Sequence, residues 1–216
     1  MLLTPVLAKL LDSYPVQHLR KVCPRIDTSK CGAIQGSSAT HALLKILQPI
    51  YKELDDSKYF AILLLVDFSK AFDHIHHGKL LEKLQNSNAD PVMIQWFQSF
   101  VTNHVQRVKI GNEKSDWATV NGGVPQGTIS RPDLIIHMVA DPQTDIPNVK
   151  FVDKTTFFEI LRKSENSQMT SSIKSIMEWS AVNQLGINAT KTKEIIVSFA
   201  KDPEVENLSM NGTEIE

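Results

Sequence analysis

The sequence contains few cysteines, no long apolar run and almost no net charge. Two cysteines in 216 residues, Cys23 and Cys31, exclude a disulfide-built scaffold and fit a reducing compartment. No apolar run approaches the roughly 20 residues that cross a bilayer, and the apolar start at residues 1–11 lacks the features of a signal peptide. A formal net charge of −1 gives no global basic field, so contact with nucleic acid needs a local positive groove. We therefore expect an intracellular protein, cytoplasmic or nuclear, with no membrane partner.

The most informative stretch is a continuous apolar run that ends in an acid. Residues 59–66 are rich in Leu, Ile and Val, which is the pattern of a strand buried on both faces, and Asp67 follows where that strand leaves the core. Asp73 comes shortly after it. An acid at a strand end is more often a turn former or a helix cap than a metal ligand. A metal site becomes the better interpretation only if a second strand delivers a second acid.

That second acid lies in residues 149–158, which predict two short strands with Asp153 and Lys154 at the bend between them. A tight hairpin tip carrying Asp153, in a chain where another strand ends in Asp67, predicts two carboxylates that converge on divalent cations. The histidines at positions 74, 76 and 77 have no matching Cys or acid spacing for zinc, so we interpret them as part of a solvated loop.

A glycine-rich loop separates these two acids in the chain. Residues 121–128, NGGVPQGT, place three glycines and a proline around Gln126. Such a composition indicates either a backbone held close to a ligand or another strand, or a wide loop with no partner. The spacing alone does not separate the two interpretations.

The remaining patterns predict helices and a hairpin around these segments. Periodicity and capping residues favour helices at 41–54, with a kink at Pro49, at 91–101 after Asp90, at 132–140 and at 168–183. Alternation predicts a hairpin between residues 105 and 120 and a last strand at 194–200. Residues 201–216 are acidic, and we expect a loose C-terminal tail.

Five motifs follow one another along the chain: CGAIQGSSATHALL at 31–44, DFSKAFD at 67–73, GGVPQGT at 122–128, FVDKTT at 151–156 and INATKTKE at 187–194. In this order they resemble the reverse transcriptases of non-LTR (LINE-like) retrotransposons. Together they cover nearly the whole chain. The resemblance implies an RNA-directed DNA polymerase whose partners are an RNA template, a DNA primer and deoxynucleoside triphosphates.

The resemblance also implies roles for single residues. Asp67 matches the first catalytic Asp, and Asp153 matches the first of two adjacent hairpin acids; both are metal ligands in the family. Lys191 lies near the lysine that assists pyrophosphate departure, with Lys193 as the alternative. Phe72 matches the aromatic against the nucleotide sugar. The implied substrate-binding residues are Phe68, Phe72, Gln126 and Gly127.

The implied chemistry is two-metal nucleotidyl transfer with Mg²⁺. One ion lowers the pKa of the primer 3′-hydroxyl and the other neutralises the leaving phosphates, so the carboxylates must hold both ions roughly 4 Å apart. The family has two acids in a row at the hairpin tip, but here the second is Lys154. A lysine ammonium competes with magnesium for Asp67 and Asp153. Arg131 and Asp133 depart from the family pattern after the glycine-rich loop and predict a change in its geometry.

We therefore predict an α+β fold: a reverse-transcriptase palm-type antiparallel sheet with helices packed on one face, partial fingers and no thumb. Residues 1–200 form the partial domain, with residual fingers and an entering segment at 1–58 and the palm at 59–200. Most of the fingers are expected before Met1 and a thumb after Glu216. We interpret the chain as a catalytically impaired fragment.

Two interpretations from other classes stay open. The first is a non-catalytic nucleic-acid-binding module that uses Lys70, Arg107, Lys109 and Lys150, whose binding depends on salt. The second is a protein-interaction relic, whose apolar surface makes it associate or aggregate.

Overall fold

The computed structural model describes residues 6–22, 29–32, 36–102, 104–142 and 144–199, with residues 203, 205, 207–210 and 212–215. Its helices and strands are, in chain order, α1 (Val6–Val22), α2 (Ala39–Leu54), β1 (Tyr59–Asp67), α3 (His77–Asn86), α4 (Pro91–Val101), β2 (Val105–Gln106), β3 (Lys109–Ile110), β4 (Glu113–Lys114), β5 (Ala118–Thr119), α5 (Arg131–Met138), β6 (Asn148–Phe151), β7 (Lys154–Arg162), α6 (Met169–Asn183), β8 (Lys193–Val197), β9 (Ser209–Met210) and β10 (Thr213–Glu214).

The chain divides into two compact units. Residues 1–26 and 70–139 form one, called here the helical unit, and residues 27–69 and 140–216 form the other, called the sheet unit. This division does not follow the predicted boundary between residues 58 and 59. The assignment of fingers and palm to separate parts of the chain stays a prediction.

The sheet unit is built on a four-stranded antiparallel sheet of order β6-β7-β1-β8. The predicted buried strand is confirmed: β1 occupies an inner position, and nearly all of its residues are buried on either face. Helix α2 packs against one face of this sheet. The core between them contains Cys31, Ala42, Ile46, Ile50, Leu54, Ala61, Leu63, Val149 and Phe158. An apolar run without polar alternation becomes an inner strand because both of its faces lose their contact with water.

A short segment extends the sheet beyond β6. The Cys31 N–H donates to the Lys150 carbonyl at 2.8 Å, and the Lys150 N–H donates to the Ser29 carbonyl at 2.9 Å. Lys30 forms a parallel bridge with Lys150. The motif that begins at Cys31 therefore lies against the strand that leads into the Asp153 hairpin.

The helical unit contains α1, α3, α4 and α5, which pack against one another with α3 and α4 in contact with two helices each. The predicted helix at 91–101 is confirmed, and Asp90 caps it by accepting the Val92 N–H at 2.7 Å. The predicted helix at 132–140 is confirmed as α5, which begins one residue earlier and ends two residues earlier. The predicted hairpin between 105 and 120 is also present, formed by the pairs β2–β5 and β3–β4.

The end of the chain differs from the expected loose tail. Strands β9 and β10 pair as a small hairpin, in which Leu208, Met210 and Ile215 are buried. Burial of these three apolar side chains explains why an otherwise acidic segment forms a hairpin. Among the described residues, no helix combines the length and apolar character needed to cross a membrane.

Candidate active site

Asp67 is the last residue of β1 and lies directly opposite Lys154, the first residue of β7. The Asp67 side chain is 12% exposed. β7 pairs with β1 up to Asp67 itself, and on the other side β8 pairs as far as Leu65 while the Asn188 N–H bonds the Asp67 carbonyl, so Asp67 projects from a rigid position. The sequence prediction of an acid delivered by a buried strand is confirmed.

Asp153 lies in the two-residue turn that joins β6 to β7, because Phe151 pairs with Lys154. The predicted bend contained both Asp153 and Lys154, and this was wrong by one residue: the turn is Val152 and Asp153. Val152 has φ +58°, in the left-handed region that a β-branched residue adopts at a cost. A positive φ at the first turn residue matches the right-handed twist of the two strands, which explains why the hairpin closes here.

Lys154 forms an ion pair with Asp67, donating from Nζ to Oδ1. This hydrogen bond is the largest cause that raises the pKa of Lys154; burial lowers it, and the charges of Asp67 and Asp153 raise it. A raised lysine pKa keeps the ammonium charged through neutral and moderately alkaline solution. Lys154 therefore contacts Asp67 directly, and its predicted competition with magnesium stays a prediction.

The donor set does not fit a pair of magnesium ions. Magnesium prefers oxygen ligands, chiefly carboxylates, but one oxygen of Asp67 already accepts a lysine ammonium. Within the described ranges, no group of three or more His, Cys, Asp or Glu residues comes together. The formal charge of Asp67, Asp153 and Lys154 is −1, whereas an acid at position 154 would make it −3. The missing negative charge is what a divalent cation requires.

The backbone of Asp67 is held by the segment after α6. The Asn188 N–H donates to the Asp67 carbonyl at 2.8 Å, and the Asp67 N–H lies 3.5 Å from Thr192 Oγ1. Thr192 Oγ1 also donates to the Asn188 carbonyl at 2.9 Å. Asn188 and Thr192 entered the sequence analysis only within the motif at 187–194, and neither residue was given a role. No local signal pairs these residues with Asp67, 125 positions away for Thr192.

Lys191 is an exposed residue of the same turn. Its N–H donates to the Asn188 carbonyl at 3.1 Å, so its backbone position is fixed relative to the residues that hold Asp67. Phe68 is 2% exposed, bridges to Ile187 and places its ring 5.7 Å from that of Trp179. Phe68 thus packs inside the sheet unit, and its predicted contact with substrate remains a prediction.

The helical unit contains the glycine-rich loop, which is held against the chain after Lys70. The Gly123 N–H donates to the Ile75 carbonyl at 2.8 Å, and the Val124 N–H donates to the Phe72 carbonyl at 3.0 Å. Gly123 has φ +78°, and a Cβ there would lie 2.6 Å from the Asp73 carbonyl oxygen. The alternative of a wide loop without a partner is therefore wrong for this end of the loop: it approaches a neighbouring backbone segment as only glycine allows.

The histidine cluster contributes to the same packing. His77 is buried, and its Nε2 lies 2.7 Å from the Gly123 carbonyl. His76 caps α3 by accepting the Lys79 N–H at 3.3 Å. The interpretation of this cluster as a solvated loop was wrong for His77, whereas His76 is exposed and precedes the helix as its N-cap. His77 in particular joins α3 to the glycine-rich loop.

Arg131 and Asp133, the residues that depart from the family pattern, both have partners. Arg131 forms an ion pair with Asp73 at 2.8 Å, and its guanidinium lies 4.7 Å from the centre of the Phe72 ring. Asp133 accepts two hydrogen bonds from Arg20, each at 2.7 Å. The substituted residues therefore tie α5 to its neighbours within the helical unit. One face of Phe72, the predicted sugar-packing aromatic, is covered by Arg131.

Gln126 and Gly127 lie at the outer end of this loop and are exposed. Gly127 has φ +82°. Beyond them the loop ends on α1, where Asp12 Oδ2 accepts the N–H groups of Ile129 at 2.6 Å and Ser130 at 2.9 Å. The loop is thus fixed at both ends, while its tip faces solvent.

One predicted nucleic-acid contact is wrong. Lys150 is buried, and its Nζ donates to the Ala140 carbonyl at 2.9 Å. Strand β6 points this side chain inward, where the lysine satisfies a backbone carbonyl instead of meeting a phosphate. Lys70, Arg107 and Lys109 are exposed, as that interpretation requires.

Comparison with known proteins decides the family. The model of the family described as reverse transcriptase (RNA-dependent DNA polymerase) matches residues 1–211. The chain belongs to the reverse transcriptase family. The match, together with the relative described next, confirms the predicted relation to non-LTR (LINE-like) retrotransposons.

The RNA-directed DNA polymerase from mobile element jockey of Drosophila melanogaster is 26% identical over 174 residues, covering 74% of this chain and 19% of that protein. Telomerase from Candida tropicalis, solved with a fragment of telomeric RNA, covers 96% of this chain at a TM-score of 0.62 and 12% identity. Telomerase from Candida albicans gives 0.60 and 15%. This reverse transcriptase chain spans about a third of those telomerase chains, at 35% and 36%. The predicted α+β palm-type fold is confirmed.

Proposed function

We propose that this chain is a reverse transcriptase domain fragment whose nucleotidyl-transfer site is closed by Lys154, which both pairs with Asp67 and stands in place of the second hairpin acid that metal ions need. The fragment keeps the family's fold and the strand that delivers Asp67. Reverse transcriptases generally use divalent metal ions and bind a nucleic-acid template. In this chain the carboxylate that would receive a metal accepts an ammonium hydrogen bond instead.

The observation that carries this proposal is the register of β1 and β7. Asp67 and Lys154 are paired backbone positions, so the two side chains meet without any rearrangement of the sheet. The raised pKa of Lys154 means that ordinary alkaline buffers do not remove its charge and free Asp67. Deprotonation of Lys154 therefore does not release Asp67 under the conditions in which polymerases are assayed.

The other candidate site residues keep their predicted roles within the proposal. Asp153 would be the second metal ligand in a repaired site, and Lys191 would assist the departing pyrophosphate. Phe72 and Gln126 would contact the nucleotide, with Phe68 and Gly127 supporting their segments. The substrates of the repaired site would be an RNA template, a DNA primer and deoxynucleoside triphosphates, and its cofactor Mg²⁺.

Primer extension on an RNA template tests the proposal. The full 216-residue chain, Lys154→Asp, Lys154→Met and Lys154→Asp/Asp67→Asn are compared with Mg²⁺ and with Mn²⁺. Lys154→Met is the matched control, because it removes the ion pair without supplying a carboxylate. We expect extension only from Lys154→Asp, since two carboxylates at the hairpin restore the charge that metal ions need.

Other outcomes decide against the proposal in distinct ways. Extension by the unaltered chain, abolished by Asp67→Asn, means that Lys154 does not close the site. Extension by Lys154→Met as efficient as by Lys154→Asp means that the ion pair alone, and not the missing acid, limits the chemistry. Absence of extension from all variants, each folded, means that the loss of activity lies outside this pair.

A further inference from the structure

The hairpin between residues 105 and 119 has no packed face. It forms a ribbon of two successive ladders, β2 with β5 and β3 with β4, whose registers differ by one residue, and between them the Ser115 N–H donates to the Val108 carbonyl at 3.0 Å. Every residue from 105 to 119 is exposed. A two-stranded ribbon without a buried face is marginal in water. Its side chains are therefore placed for something other than the core.

One face of this ribbon combines three cations with an aromatic ring. Lys109 and Lys114 are directly opposite each other, so they share a face. The Arg107 guanidinium lies 4.4 Å from the centre of the Trp117 ring. Because side chains two apart along a strand point the same way, Arg107 lies on the Lys109 side. We call Arg107, Lys109, Lys114 and Trp117 the cationic face.

The charges on this face are not neutralised within the described chain. Neither lysine takes part in an ion pair among the described residues, and like charges directly opposite destabilise a hairpin. Glu113 is paired with Ile110, on the opposite face. The arrangement costs stability in the free chain, and a polyanion would remove that cost.

The aromatic ring specifies which polyanion. Trp117 is 60% exposed, and Arg107 covers only one side of its ring. Trp117 lies beside Arg107, and the two-residue step from Arg107 to Lys109 along the other strand is about 6.7 Å, close to twice the rise of about 3.4 Å between stacked bases. A base on the free side of the indole would thus bring neighbouring phosphates over the lysines. The acidic side chains of a peptide offer no aromatic group for this ring, and a duplex keeps its bases stacked inside.

We propose that the cationic face binds single-stranded nucleic acid, with one base stacked on Trp117 and phosphates on Lys109 and Lys114. This binding is separate from the chemistry at Asp67 and needs no metal. It goes beyond the proposed function because it assigns a specific ligand contact to a part of the chain outside the site residues. Bound phosphates would also offset the repulsion between Lys109 and Lys114, which face each other across the ribbon.

Fluorescence anisotropy of a labelled 12-nucleotide uridine oligomer tests the proposal, with the full chain titrated at several KCl concentrations. Trp117→Ala should weaken binding by about 5- to 150-fold, because stacking on an aromatic contributes about 1–3 kcal/mol per base. Trp117→Phe should recover most of that loss. Lys109→Gln and Lys114→Gln should each reduce the slope of log affinity against log salt by about 0.7. Ile110→Ser, exposed on the opposite face, is the matched control and should bind as the unaltered chain does.

The same variants keep this test independent of the catalytic proposal. Asp67→Asn should leave oligomer binding unchanged, so failure of primer extension does not bear on the cationic face. Lack of oligomer binding by the unaltered chain overturns the inference. Equal binding by Trp117→Ala overturns it as well. Binding to phosphatidylserine vesicles through the same lysines, without binding to the oligomer, assigns the face to a membrane instead.

Discussion

Gly32→Ala should destabilise the sheet unit and displace the hairpin tip that carries Asp153. A Cβ at Gly32 would lie 2.3 Å from the Val152 nitrogen and 2.9 Å from the Phe151 carbonyl carbon, both of which are backbone atoms. An ordinary contact begins near 3.4 Å, so the segment must retreat by about 1.1 Å from the tip. Backbone atoms of a two-residue turn closed by paired strands cannot rotate away as a side chain would.

The expected loss of stability follows from the contacts that this displacement of the backbone strains. Overpacking of this kind costs about 1–3 kcal/mol, and the Cys31–Lys150 hydrogen bond at 2.8 Å, worth about 1 kcal/mol, is the nearest one at risk. We expect a loss of about 2–3 kcal/mol in the free energy of unfolding. For a chain of this length that corresponds to a Tm lower by about 5–10 °C.

Thermal unfolding followed by circular dichroism measures this change, with Gly186→Ala as the matched control. A Cβ at Gly186 would meet only Ser69 Cβ, at 3.9 Å, so this variant shares the lost glycine flexibility without the clash. We expect Gly186→Ala to unfold within about 2 °C of the unaltered chain. Equal Tm values for Gly32→Ala and Gly186→Ala would refute the reasoning that the tip is held by close backbone contact.

Three further changes should alter stability in defined directions. Val152→Gly should raise the free energy of unfolding by about 1 kcal/mol, because glycine adopts φ +58° without strain; chemical denaturation measures it, and a loss of stability would contradict it. Burial raises the pKa of Glu194, and the hydrogen bond from the Leu208 N–H only partly opposes this. The contribution of Glu194 to folding stability is therefore present below the unfolded pKa of about 4.3 and is lost as the pH rises through the higher folded pKa. Glu194→Gln should therefore stabilise the chain at pH 7 more than at pH 4, and an equal effect at both would count against a buried charge. Arg20→Met should cost about 1–3 kcal/mol by leaving the buried Asp133 unpaired, a loss that Arg20→Met/Asp133→Asn should partly recover in a double-mutant cycle.

The residues that the sequence predicted correctly belong to local patterns. The run that ends in Asp67 and the alternation that surrounds Asp153 are both readable from neighbours within ten positions. The contact between Lys154 and Asp67 was also predictable, because the resemblance places position 154 at the hairpin beside Asp67 and the two side chains carry opposite charges. These three residues define the candidate site.

The contacts that support the site could not be predicted in the same way. Thr192 lies 125 positions from Asp67, and Asp133 lies 113 positions from Arg20. Neither pair has a shared periodicity, and each forms only when the fold brings distant segments together. Lys150 illustrates the opposite error: a lysine on a strand looks exposed in sequence, but the inward side of β6 buries its stem and offers the Ala140 carbonyl.

The most direct test of the central claim, that Lys154 closes the carboxylate site, is the shift in Tm produced by Mn²⁺. For Lys154→Asp we expect stabilisation of about 2.7 kcal/mol when Mn²⁺ is a hundredfold above its Kd, or roughly 5–10 °C, because the metal binds only the folded site. The added Asp67→Asn change should abolish that shift, and the unaltered chain should show none. A shift of the same size in the unaltered chain, lost on Asp67→Asn, would contradict the account.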